Sequence, residues 1–89
     1  MAPDNTTERL YWEAFRQRLV AIRLELGWTQ PRMADLLGVE LNSYKKYETK
    51  YKFPPHLLDK LAGVTHRSLE YVVTGRGHNI STLQKRRAS

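Results

Sequence analysis

The chain has 89 residues, 40% of them apolar. That is enough for one small core, which at this size buries about 60–65% of the unfolded surface, and too little for a deep substrate cleft. Without cysteine, disulfide staples, thiolate metal sites and a cysteine nucleophile are excluded. No apolar run approaches the roughly 18 residues of a membrane span, and the polar start Met1–Glu8 does not read as a signal peptide. Fifteen Lys and Arg against nine Asp and Glu give +6. The excess grows along the chain, from zero over residues 1–28 to +2 over 29–55 and +4 over 56–89. A basic balance of this kind suits an anionic polymer, because cationic side chains displace the counterions of phosphates.

The periodicity is helical throughout. Residues 1–8 are expected to be a flexible lead. A first helix is predicted from about Glu8 to Leu26, with Asn5, Thr6 and Thr7 offering capping oxygens and Tyr11, Phe15, Leu19, Ile22 and Leu26 forming one apolar stripe. Gly27 ends it. A second, short helix follows the N-cap Thr29, has Pro31 in its first turn, buries Met33, Leu36 and Leu37, and stops at Gly38. A third runs from about Leu41 to Glu48, with Tyr44, Tyr47 and either Val39 or Leu41 inward and Asn42, Lys45 and Lys46 on its other face.

The stretch Thr49–Phe53 reads as a polar, lysine-bearing connector. Pro54 and Pro55 open a fourth helix with Leu57, Leu58, Leu61 and Ala62 inward and Gly63 as its stop. A fifth starts near Ser68, buries Leu69, Val72 and Val73, and ends at Gly75. The folded domain is expected over 9–75. The remainder, 76–89, is expected to be a mobile basic tail ending in Lys85, Arg86 and Arg87.

Catalytic chemistry has little support. His56, His66 and His78 lack metal-ligand spacing, no glycine-rich phosphate loop is present, and no motif selects a Ser–His–Asp triad. The expectation is no enzyme, metal, cofactor or small-molecule ligand. Two short helices separated by three residues around Gly38, with a small Ala34 where the helices cross, form a helix-turn-helix signature. Gln30 stands at the start of the second helix, where amide hydrogens and a side-chain amide can meet a phosphate.

The stretch from Gly27 to Glu48, with Thr29-Gln30, Met33-Ala34, Leu37-Gly38-Val39 and Tyr47-Glu48 in order, resembles the phage-repressor and Cro type of helix-turn-helix, the XRE family. Pro54, the Leu58-x-x-Leu61-Ala62 pattern and Ser68–Gly75 extend the likeness over about residues 12–76. The resemblance implies an all-α, compact five-helix, lambda-repressor-like domain that binds double-stranded DNA as a small transcriptional regulator. It further implies a homodimer on a palindromic operator, repression of a phage or bacterial gene, and a cytoplasmic, nucleoid-associated location. The whole chain is then the DNA-binding domain.

The DNA-facing set expected from this match and its surroundings is Gln30, Arg32, Glu40, Leu41, Asn42, Ser43, Lys45, Lys46, Lys50 and Lys52. Arg23 and Glu48 match a structural salt bridge of many relatives. Glu40 stands where the family often caps the recognition helix with Ser or Thr, and Leu41 replaces a polar position, so Leu41 can offer only apolar contact, to the core or to a thymine methyl. Two other readings stay open: an antitoxin whose main partner is a toxin protein, and an adaptor that kept the fold without DNA binding.

Overall fold

The computed structural model describes residues 6–77. Asn5, His78 and the basic tail residues Lys85, Arg86 and Arg87 lie outside the described residues. The fold is all-α, with five α-helices among the described residues: α1 Thr6–Glu25, α2 Gln30–Leu37, α3 Leu41–Thr49, α4 Leu58–Thr65 and α5 Leu69–Thr74. A 3₁₀ turn, Pro55–Leu57, leads into α4. No helix there is long and apolar enough to cross a membrane.

Backbone geometry explains the first two helix ends. Gly27 has φ +73°; its N–H bonds back to the Leu24 carbonyl, and the Trp28 N–H reaches the Arg23 carbonyl. Gly38 repeats the arrangement, with φ +74° and bonds from Gly38 to Asp35 and from Val39 to Ala34. Each closure satisfies carbonyls that a helix end leaves open. The second leaves three residues, Gly38, Val39 and Glu40, between α2 and α3. Thr29 accepts the Arg32 N–H through its hydroxyl at 3.2 Å and so caps α2 at the other end.

The core gathers one face of each helix. Phe15, Leu19 and Ile22 of α1 meet Met33, Ala34 and Leu37 of α2, Tyr44 of α3, Leu61 and Ala62 of α4, and Val72 of α5. Trp12, Trp28 and Tyr47 are partly buried against it. The helix α3 packs on α1 and α2, and α5 returns to α1. Arg18 seals that return: its guanidinium donates to the Val72 and Val73 carbonyls at 3.1 and 3.0 Å, beside the Tyr11 hydroxyl on Val73 at 2.6 Å.

Three expectations need correcting. Gly63 does not stop α4; the helix continues to Thr65 and closes at His66, which takes the left-handed conformation at φ +57° with Arg67 bonding back to Ala62. A glycine permits a left-handed cap and does not require one. Phe53 is no part of a polar connector: its ring is buried 5.4 Å from both Phe15 and Tyr47. Leu69 is 46% exposed, at the edge of a shallow groove with Asp59, Ala62, Gly63 and His66, because a six-residue helix seats one inward side chain and Val72 fills that place.

Candidate nucleic-acid interface

The position of α3 is fixed by one carboxylate. Glu48, in its last turn, accepts from the Arg23 guanidinium of α1 through Nε at 2.7 Å and Nη2 at 3.3 Å. It also accepts from Gln30 Nε2 of α2 at 2.9 Å and from the Tyr44 hydroxyl one turn back in α3. The third Arg23 nitrogen, Nη1, donates to the Trp28 carbonyl at 2.8 Å, tying in the α1–α2 turn. The side chains of Arg23 and Glu48 are only 12% and 4% exposed. Three helices thus converge on one charge.

The protonation states follow from the contacts. Burial alone would push the Glu48 carboxyl up, but the hydrogen bonds from Arg23, Tyr44 and Gln30 more than reverse this and hold it below the usual carboxylate range. The hydrogen bond to Glu48 raises the Arg23 pKa against its own burial. Burial, then the neighbouring Glu48, raises the Tyr44 phenol, so it stays a donor.

With the inner face of α3 committed in this way, its outer face is free. Asn42, Lys45 and Lys46 are all exposed. Glu40 is exposed at the N-cap position; its backbone carbonyl accepts from Tyr44, and its side chain makes no capping bond. Ser43 is half-buried, and Leu41 is partly buried against the core. Leu41 therefore spends much of its surface on packing. Gln30 is half-buried, and its amide nitrogen spends one of its two hydrogens on Glu48, which leaves the other hydrogen and the carbonyl oxygen for further contacts. Arg32 is exposed on α2, its guanidinium 6.0 Å from the centre of the Trp28 ring.

The segment after α3 continues the positive surface. The Tyr51 ring, half exposed, carries the Lys46 and Lys50 ammoniums 5.5 and 5.9 Å from its centre. Lys52 pairs with Glu8 in an exposed contact. Lys50 and Lys52 line a groove of about 230 Å³ with Arg9, Trp12 and Arg16 of α1.

Sequence reasoning missed Arg9, Arg16 and Tyr51. Arg9, Arg16 and Arg23 recur every seven residues, which places them on one side of a helix; that spacing was the available signal for the arginines. Tyr51 had none, since only the fold brings two lysines over its ring.

The α2–turn–α3 unit, held against α1 with its second helix exposed outward, is a helix-turn-helix arrangement. The chain is similar to an uncharacterized HTH-type transcriptional regulator, YonR, derived from the SPbeta prophage of Bacillus subtilis (strain 168), at 38% identity over 63 residues. That match covers 68% of this chain and 57% of the relative, so the chain spans a little over half the length of the curated protein it matches. No family model matches the chain, and no solved structure matches it.

Proposed function

We propose that this protein is a small sequence-specific regulator of the repressor and Cro type that binds double-stranded DNA with α3 in the major groove. The observation that carries the reading is the Glu48 cluster. It locks α3 to α1 and α2 through its inner face while Asn42, Lys45 and Lys46 stand exposed on the outer one. A groove reader needs this combination of rigid support and a free polar face. The likeness to a prophage-derived HTH-type transcriptional regulator supports the same reading. On this account the protein represses a phage or bacterial operon from the cytoplasm, associated with the nucleoid.

The residues divide the work by chemistry. Asn42 has a planar amide that can pair with adenine N6 and N7. Lys45 and Lys46 are flexible point charges suited to phosphates. Gln30 and Arg32 flank the start of α2, and Lys50, Lys52, Arg9 and Arg16 extend the positive flank along the sugar-phosphate backbone. Glu40 accepts from a cytosine N4 amino group, Ser43 serves at the edge of the contact, and Leu41 adds at most a methyl contact. One short helix reads too few base pairs for genomic specificity, so a homodimer on a palindromic operator follows, with half-sites about 34 Å apart.

An operator selected from genomic fragments allows the division to be tested. Asn42→Ala is expected to cost about 1–3 kcal/mol on that operator and little on unrelated duplex. Equal weakening on both duplexes would assign Asn42 to a phosphate contact and overturn its base-reading role.

A further inference from the structure

The outward side of α1 has no role in the core or in the Glu48 cluster. Leu10, Ala14, Gln17, Ala21 and Leu24 are spaced by four, three, four and three residues and are all exposed. They form one straight line on the helix, opposite the buried line of Phe15, Leu19 and Ile22. Leu10 and Leu24, 54% and 62% exposed, are the two most exposed large apolar side chains among the described residues. No charged side chain interrupts the line. Its order, Leu-Ala-Gln-Ala-Leu, reads the same in both directions about Gln17.

We propose that this face pairs with the same face of a second copy, as an antiparallel α1–α1 contact with its two-fold axis at Gln17. A two-fold interface must be self-complementary. Antiparallel pairing sets Leu10 of each protomer on Leu24 of its partner, Ala14 on Ala21, and Gln17 against itself. The alanines let the helix axes approach to the short end of the usual 8–10 Å range.

The orientation follows from where α3 sits. Glu13, Arg16, Gln17 and Val20 line a groove with Glu48 and Thr49, so the end of α3 lies along one flank of the stripe. An antiparallel two-fold turns the same flank of both copies to the same side, which brings both α3 helices to one face, as a single duplex requires. A parallel pair would put them on opposite faces. This choice of orientation rests on the DNA-binding reading; the pairing itself does not. The surface of α5 offers no comparable apolar line, because Val72 is buried and Tyr71 is half-buried, leaving Leu69 alone well exposed.

Two helices about 30 Å long touching over a strip about 10 Å wide cover about 600 Å² in total. That is below the roughly 1,200 Å² of stable complexes. The contact is therefore weak between free copies and strengthens when one duplex holds both.

The chain has no cysteine, so single-cysteine variants report contacts directly, and every position chosen is exposed. In free protein without DNA, with helix content checked by circular dichroism, Gln17→Cys should form a disulfide dimer about tenfold faster than the control Lys60→Cys, because pairing raises the local thiol concentration. Leu10→Cys mixed with Leu24→Cys should cross-link, neither should do so alone, and adding Leu24→Glu to Gln17→Cys should bring the rate to the control. A Gln17→Cys rate no greater than the control, self-linking of Leu10→Cys as fast as the mixture, or faster dimerisation through Leu69→Cys would overturn the proposal. Because no DNA is present, failure here leaves the DNA-binding reading standing, and failure of that reading leaves the pairing testable.

Discussion

Glu48→Ala is expected to destabilise the protein by about 3–5 kcal/mol, the cost of leaving a buried charge without its partner. The substitution strips Arg23 of its bidentate acceptor and orphans the Tyr44 hydroxyl and the Gln30 amide. Domains are stable by only about 5–15 kcal/mol. A loss of this size lowers the melting temperature by about 4–8 °C for each kcal/mol in a domain this small. Arg23→Ala should cost a similar amount, and the double variant less than the sum, since removing both charges leaves none unpaired. Additive losses in that thermal-denaturation cycle would remove the pair from the account of stability.

The same cluster sets an acid limit. The folded Glu48 carboxyl titrates below its ordinary value of 4.5. Its contribution is therefore complete above that unfolded value and is lost as the pH falls through the lower, folded one. Glu48→Gln should flatten this part of the acid-unfolding curve while lowering stability at neutral pH.

Phe53→Ala is the second large effect, expected at about 3–5 kcal/mol by loss of a buried ring and the cavity left behind. The Phe53 ring bridges Phe15 of α1 and Tyr47 of α3. Its removal also loosens the segment that carries Lys50 and Lys52. Tyr51→Ala, two residues earlier and half exposed, should stay within about 0.5 kcal/mol of the parent in stability. Urea denaturation of the two variants side by side separates a core anchor from a surface aromatic. Equal losses would contradict the packing described.

Phe53 also marks where the sequence stopped being legible. The helices were readable because their apolar spacings are long and regular and because Gly27, Gly38 and Gly75 coincide with the ends of those spacings. A single aromatic among lysines and tyrosines carries no period, so its burial depends on contacts across the fold. Gly63 misled for a related reason: it lies where a stop was plausible, but the hydrogen bonds that close the helix use His66 and Arg67. In the candidate site, Arg23 and Glu48 pair as the family spacing implies, and Asn42, Lys45 and Lys46 are exposed as their position opposite Tyr44 predicts. The capture of the Gln30 amide by Glu48, the inward lean of Leu41, and the lysines over Tyr51 are side-chain choices made in three dimensions.

The central claim is that the exposed face of α3 binds duplex DNA through phosphate contacts by Lys45 and Lys46. It is tested most directly by measuring affinity for duplex DNA over a series of salt concentrations, for the parent chain and for the Lys45→Ala/Lys46→Ala double variant. Each phosphate contact adds about 0.9 to the slope of log affinity against log salt. The account predicts a steep loss of affinity with salt in the parent and a slope shallower by about two in the variant. Salt-independent binding by the parent, or the same slope in both proteins, would contradict it.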